Sequence, residues 1–438
     1  MTISNSQLSR RAFLGGGTVL AAFGALALAG CATPAAPGAG AGGATAAAGT
    51  KAETINFYGN SLGEEALKSA WQGILDGFSK KEGVTVAPVI YPYDQAATQL
   101  ALTGRSGNLM GVGQSGGWQV LTPMNVLADL SDLAKGLGIP QGVLDSYTMD
   151  GKLLVLPLTA AGIGIITNGE IAKSVGIESG MTVEQFATAL EKIKKQDSSL
   201  IPYAAVTKNP DLKDAVPWMW GFGSDVVTDD LKCTLGDAES VEAVTWYKSL
   251  QDAGLTQTNV ARSDARILFA SGRTALYDDA PLASTFVKTN GAAQNIIDNI
   301  GAISRPTAGG KDSFNRAWGS GVFATAGEGE LTSRDFILYA ATNVEAATAL
   351  YENSAVAPAA KTVADKIPAL AADTFQAAFR TEVSEHARGA AWDRVAVTAQ
   401  IDAAIGAGVA TILAGQVDAQ SGLNALKKEV QGLLDSNA

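Results

Sequence analysis

Leu153-Leu154-Val155-Leu156-Pro157 and Gly164-Ile165-Ile166-Thr167 are β-prone apolar runs around a proline, and they lead on to Thr182-Val183-Glu184-Gln185-Phe186. The last stretch has the spacing of a capping box, in which a Thr at the helix start and a Gln three residues on satisfy each other's backbone N–H groups. Behind it, Phe186, Leu190 and Ile193 recur at helical spacing and form one apolar face. Apolar strands that feed a capped amphipathic helix are the unit of an α/β sheet covered by helices on both faces.

The alternation continues outward. Residues 54–58 predict a strand, followed by a polar turn at Gly59-Asn60-Ser61 and a helix with Leu67, Trp71, Ile74, Leu75 and Phe78 on one face. Residues 84–90 predict a second strand, and Tyr91-Pro92-Tyr93-Asp94 a turn into the next helix. Further helices are expected at 238–253, 264–271, 333–341 and 345–352, and about the last hundred residues read as almost wholly helical. The expected fold class is α/β, with two mostly parallel sheets flanked by helices.

A chain of 438 residues has room for two or three domains. Lys and Arg number 32 against 43 Asp and Glu, and a net charge of −11 gives no positive field for a polyphosphate backbone, so nucleic acid is not expected as a partner. The single histidine, His386, cannot build a multi-histidine metal site, and no nucleophile motif lies beside it. No metal, cofactor or catalytic residue is assigned.

The N-terminus reads as an address. Ser9-Arg10-Arg11-Ala12-Phe13-Leu14 has the form of a twin-arginine export motif, and the uncharged run after it ends in Leu28-Ala29-Gly30-Cys31, the form of a lipobox. An uncleaved anchor helix is the alternative, which Gly15-Gly16-Gly17 disfavours. Residues 1–30 are thus expected to be an export signal cleaved before a lipid-bearing Cys31. Residues 31–53, rich in Ala and Gly, are expected to be a flexible tether to the outer face of the cytoplasmic membrane. Cys233 is left without a disulfide partner and reads as a buried apolar filler.

Gly111-Val112-Gly113-Gln114-Ser115-Gly116 fits the G-x-G-x-x-G of dinucleotide sites, but Gly117-Trp118 and Pro123 interrupt the helix that would have to face a pyrophosphate. It reads instead as a flexible strand-end loop presenting Gln114 and Trp118. Asp278-Asp279 and Asp229-Asp230 are adjacent acids, and sequence neighbours do not flank a glycosidic bond from two sides. Trp71 and Trp246 lie in amphipathic helices and read as core. Trp118, Trp218, Trp220, Trp318 and Trp392 lie in or near Gly/Pro-rich connections. Either they pack between domains, or they wall a cleft with flat apolar faces of the kind sugar rings stack on.

Several pieces, in order, resemble the bacterial extracellular solute-binding proteins of carbohydrate ABC importers, the maltose-binding-like family 1. Gly151-Lys152-Leu153-Leu154-Val155-Leu156-Pro157 with Ile166-Thr167-Asn168-Gly169-Glu170-Ile171 is similar to the family's G-K-x-Y-x-x-P and Y-Y-N-K segments. Gly176-Ile177 with the Thr182 capping box, Phe269-Ala270-Ser271-Gly272-Arg273-Thr274-Ala275-Leu276-Tyr277, the stretch 336–350 and Ala357-Pro358 resemble later family segments in the same order. The chain departs at Ile166-Thr167, where the family has two tyrosines, and at Asp279-Ala280-Pro281, where it has G-x-W. The ligand class therefore stays open.

The resemblance implies two α/β lobes with a ligand cleft between them, 54–160 plus 319–360 forming one and 161–318 plus 361–438 the other. The chain would cross between them near 159–163, 318–321 and 357–361. Ligand contacts are expected from Asn60, Ser61, Asp94, Gln114 and Trp118 in the first lobe, and from Trp218, Trp220, Tyr277 and Asp278 in the second. Trp318 at the hinge, Glu385 and Trp392 complete the set. The implied function is that of a monomeric lipoprotein, not an enzyme, which closes around a sugar or oligosaccharide and delivers it to the membrane subunits of an ABC importer. The alternatives are a polyamine, peptide or anion in the same fold, or an exported glycan-processing enzyme with two facing carboxylates.

Overall fold

The computed structural model describes residues 49–63, 65–92, 95–208 and 211–436. Arg10, Arg11, Cys31, most of the tether and Asp94 lie outside the described residues.

The strands are β1 (Thr54–Gly59), β2 (Thr85–Ile90), β3 (Gly111–Gln114), β4 (Thr148–Met149), β5 (Lys152–Leu153), β6 (Leu156–Asn168), β7 (Ile201–Ala204), β8 (Thr274–Asp279), β9 (Ile300–Ile303), β10 (Asn315–Ala324) and β11 (Ala387–Arg388). Apart from the β4–β5 hairpin, they form one hydrogen-bonded path in the order β2-β1-β3-β10-β6-β8-β7, with β11 added to β10 and β9 to β6. Pairing is parallel between β1 and β2, β1 and β3, and β7 and β8, and antiparallel where β6 and β10 pass through.

The second expected run is the end of the 13-residue β6, which begins at Leu156 and is buried throughout; of the first run, Leu153 lies in β5 and only Leu156 and Pro157 in β6. The first half of β6 pairs with β10 and its second with β8 and β9. Pro157 sits where the β6–β10 register shifts, between the pairs Ser320–Thr159 and Gly321–Pro157. A residue without an N–H is tolerated at such an irregularity. Because β6 and β10 both run through, the two expected sheets are joined into one path.

The first lobe's core gathers Phe57, Trp71, Phe78 and Phe336, with Phe57 4.9 Å from Trp71 and Phe78 edge-on to Phe336 at 5.2 Å. Trp71, Ile74, Leu75 and Phe78 of the helix Glu65–Glu82 are all buried in it. In the second lobe the capping box forms: Gln185 N–H donates to Thr182 Oγ1 at 3.3 Å, and Thr182 N–H to Gln185 Oε1 at 2.9 Å. Phe186, Leu190 and Ile193 lie buried behind it. The later helices are Ala238–Asp252, Arg262–Ala270, Glu330–Thr342 and Val344–Ser354. Val363, Ile367 and Leu370, assigned by sequence to the second lobe, pack into the first core, and Phe375 and Phe379 join a cluster with Ile166 and Tyr277. Cys233 is a buried free thiol, and burial pushes its pKa up, as suits an apolar filler.

The G-x-G stretch is β3, a fully buried strand and not a loop. Gly111 has φ 122°, and a Cβ there would stand 2.3 Å from the Asn56 carbonyl oxygen. A Cβ on Gly113 would stand 2.2 Å from the Phe323 ring. Sheet packing demands these glycines.

Candidate ligand-binding site between the lobes

Where β6 and β10 cross, Trp318 pairs with Ala161, Arg316 with Ile163, and Ser320 with Thr159. On the first-lobe side Val322, Phe323 and Ala324 are wholly buried, whereas Arg316, Ala317, Gly319 and Ser320 are half-buried and Trp318 is 39% exposed. β10 thus leaves one core before it reaches the other, and this uncovered stretch carries the indole. The Thr159 and Ser320 hydroxyls bond each other beside it at 2.9 Å.

On the first-lobe side, three of the expected residues come together and bind one another. The N–H groups of Asn60 and Ser61 donate to Gln114 Oε1 at 2.9 and 3.1 Å, and Gln114 Nε2 donates to Ser61 Oγ at 2.7 Å. Gln114 and Ser61 are buried, so the amide shapes the turn after β1, and Asn60 stands half-buried at its edge. Trp118, expected on a loop, is 1% exposed; its short 3-10 helix, Trp118–Met124, places it with Tyr58, Leu100 and Phe323, 6.2 Å from the Tyr147 ring.

The second-lobe residues are placed differently from the expectation. Trp218 and Trp220 lie in the helix Ala215–Phe222, all of whose residues are buried. Pro217 falls in its first turn, where no N–H is needed, and Gly223 ends it at φ 105°. The proline and glycine that suggested a connection are the start and stop signals of a helix. Trp218 packs 6.0 Å from Phe186 and 4.8 Å from Trp246, with the Arg305 guanidinium 4.6 Å over its ring. Trp220 Nε1 donates to the Asp225 carbonyl at 3.3 Å, and its ring lies 5.2 Å from the Arg388 guanidinium. Tyr277 is wholly buried against Phe269 at 4.9 Å. These rings have no face open to a ligand in this conformation.

The acids at the end of β8 are also held. Asp278 accepts from Arg305 Nη2 at 2.9 Å and from the Tyr203 hydroxyl at 2.5 Å. Asp279 accepts from Arg266 Nε and Nη2, both at 2.7 Å. Asp214, at the start of the Trp218 helix, pairs with Arg262; burial raises its carboxyl despite that arginine. An acid so held is no free general acid or base.

Trp392 is wholly buried, its Nε1 donating to Asp402 Oδ1 at 2.9 Å and its ring 5.2 Å from the Arg316 guanidinium. Glu385 is exposed, 3.9 Å from Arg380 Nε, on the turn Ser384–His386. The adjoining Val383 packs against Gly162 and Gly164, the β6 positions that alternate with Ala161. Sequence reading missed Arg316, Asp393 and Gln119. Arg316 is bound by Asp393 and lies 3.6 Å from Asp402, while Gln119 Nε2 of the first lobe donates to the Asp393 carbonyl at 2.8 Å. Arg316's place two residues before Trp318 on an extended strand was the available signal.

The arrangement is suited to binding: one flat ring at the crossing, hydroxyls beside it and charges already paired. A family model described as bacterial extracellular solute-binding protein matches residues 73–378. Curated relatives from Brucella abortus and Brucella suis, named as binding proteins, are 24% identical over 287 residues, covering 62% of this chain and 67% of theirs. Among solved structures, the sugar-binding protein MalE of Xanthomonas citri superposes with a TM-score of 0.76 at 17% identity, covering 87% of this chain and 98% of its own. The GacH receptor of Streptomyces glaucescens, solved unliganded and with acarbose, gives 0.71 at 20%, covering 88% and 99%. A solute-binding protein of Thermotoga lettingae bound with α-D-tagatose gives 0.69 at 18%, covering 88% and 100%. With its two lobes, its crossing strands and a family match over most of its length, the chain belongs to the bacterial extracellular solute-binding proteins.

Proposed function

We propose that this protein is an exported, lipid-anchored, monomeric receptor that captures a sugar or oligosaccharide between its lobes and hands it to the membrane subunits of an ABC importer. The observation that carries the reading is Trp318: a large apolar ring 39% exposed on the strand that joins the lobes, with the Thr159–Ser320 hydroxyl pair two residues along the same strand pairing. A ring face and hydroxyls together suit the C–H face and hydroxyl rim of a sugar. Structural neighbours were solved with acarbose and with tagatose. The second-lobe acids Asp214, Asp278, Asp279 and Asp393 each have an arginine, which favours an uncharged ligand over a polyamine or an anion. The same pairing disfavours a glycan-processing enzyme, which needs two facing carboxyl groups free to trade protons.

Purified protein titrated with a panel of mono- and oligosaccharides is expected to change its tryptophan fluorescence saturably and to melt at a higher temperature with at least one of them. No response to any sugar at millimolar concentration, together with a response to polyamines or amino acids, would overturn the sugar reading. Membrane attachment is tested separately: the mature protein should carry the added mass of lipid on Cys31, and Cys31→Ser should abolish it.

A further inference from the structure

The lobes also meet beside the paired stretch of β6 and β10, where β11 adds to β10 at Asn315 and Arg316. The helix Gln141–Asp145, anchored in the first core by Val143, lies against β11, whose chain continues into the second core at Ala390 and Trp392. The approach is close, to backbone at Gly142 and to the Ser146 side chain at Gly389. A Cβ on Gly142 would stand 2.3 Å from the Ala387 carbonyl oxygen, and one on Gly389 would stand 2.1 Å from Ser146 Oγ. Neither glycine has positive φ, so neither is required by its own conformation. The opposite lobe is what excludes a side chain at each.

A polar tie lies beside this contact. Gln119, on the first-lobe turn that carries Trp118, donates through Nε2 to the Asp393 carbonyl at 2.8 Å. The Asp393 carboxylate in turn accepts from the Ala390 N–H at 2.7 Å and binds Arg316. Arg316 is two residues from Trp318 on β10. Asp393 is therefore held at once by the first lobe, by its own turn and by the strand that bears the exposed ring.

We propose that this contact is a second interlobe joint, with Asp393 as its positioning residue, which sets how far the lobes swing apart across Trp318. A pair of crossing strands alone leaves rotation about their axis open, and a close contact to one side limits it. Ligand affinity falls in proportion to the fraction of molecules in the competent arrangement, so the joint tunes affinity without touching the ligand. Only this affinity effect rests on the receptor reading; the joint itself does not.

The test measures the interlobe distance in ligand-free protein, by spin labels at Lys68→Cys and Lys192→Cys in a Cys233→Ala background. Gln119→Leu and Gly389→Ala are each expected to shift or broaden the distance distribution, and adding Ser146→Gly to Gly389→Ala to move it back toward the parent. Should Gly389→Ala fail to fold, Gln119→Leu, which deletes one hydrogen bond, still decides the matter. Distributions in Gln119→Leu and any folded Gly389→Ala that match the parent's would overturn the joint. With a ligand in hand, Gln119→Leu should change Kd about fivefold while the Trp318 fluorescence change at saturation stays the same. A sugar panel that finds no ligand would count against the receptor reading and leave the distance result standing.

Discussion

Asp278 and Asp279 stand side by side at the end of β8, and their carboxylates are held by different arginines, Arg305 for the first and Arg266 for the second. Successive side chains of a strand point to opposite faces, so adjacency in sequence separates the two acids. Asp278 and Arg305 are both almost wholly buried, and Arg305 Nε and Nη1 have no hydrogen-bond partner. Asp278→Asn should therefore lower the unfolding free energy by about 3–5 kcal/mol, since it strands a buried guanidinium. Urea denaturation checks this; a loss below about 1 kcal/mol would mean that Arg305 is compensated elsewhere.

The tryptophans should divide into two classes. Trp318→Ala is expected to weaken ligand binding about tenfold or more and to leave the melting temperature nearly unchanged, because its ring is 39% exposed. Trp218→Ala should cost about 3–5 kcal/mol of stability, because its ring fills a site among Phe186, Tyr203 and Trp246. Paired fluorescence titrations and melting curves separate them, and a stable Trp218→Ala with weakened binding would reverse the assignment.

Asp402 and Asp393 both bear on Arg316 and should respond to pH in opposite senses. Burial raises both carboxyl groups. At Asp393 this outweighs Arg316, whereas at Asp402 the effects of Arg316, Lys213 and the Trp392 indole prevail and leave the group below its ordinary 3.8. A depressed acid contributes stability above its unfolded pKa and loses it as pH falls through the folded value; a raised acid contributes below the unfolded pKa and loses it as pH rises through the folded value. The deficit of Asp402→Asn against the parent should therefore be largest near neutral pH and shrink below about pH 4. Any stability advantage of the parent over Asp393→Asn should instead shrink as pH rises. Denaturant titrations across that range that show the same slope for both variants would contradict the assignment.

Gln114→Leu should remove the acceptor of the Asn60 and Ser61 N–H groups and lower stability by about 1–3 kcal/mol. Ligand affinity should fall with it, because the turn after β1 loses its brace. Thermal melts and a titration on the same preparation check the two effects, and unchanged values in both would remove Gln114 from the site.

Elements with strong periodicity were legible in the sequence. The Thr182–Gln185 cap, the faces led by Trp71 and Phe186, the later helices and the inert Cys233 all follow from local chemistry that each segment carries within itself. Of the five tryptophans read together as cleft walls, Trp318 alone is exposed. Proline and glycine around Trp218 and Trp220 read as a connection, although Pro217 and Gly223 open and close a helix. Gln114, Asn60 and Ser61 were each expected to face a ligand, and in the structure Gln114 binds the other two.

The amino-acid order alone determined that this is an acidic α/β chain with strand-to-helix units and no histidine cluster. Tertiary structure decided that residues 156–168 are a single strand through both lobes, that Trp318 is exposed while Trp118, Trp218, Trp220 and Trp392 are buried, and that Asp278 and Asp279 have separate partners. Periodicity is a property of neighbours along the chain. Exposure and pairing depend on what packs opposite, and that is supplied by remote segments such as β10 against β6, or Gln119 against Asp393.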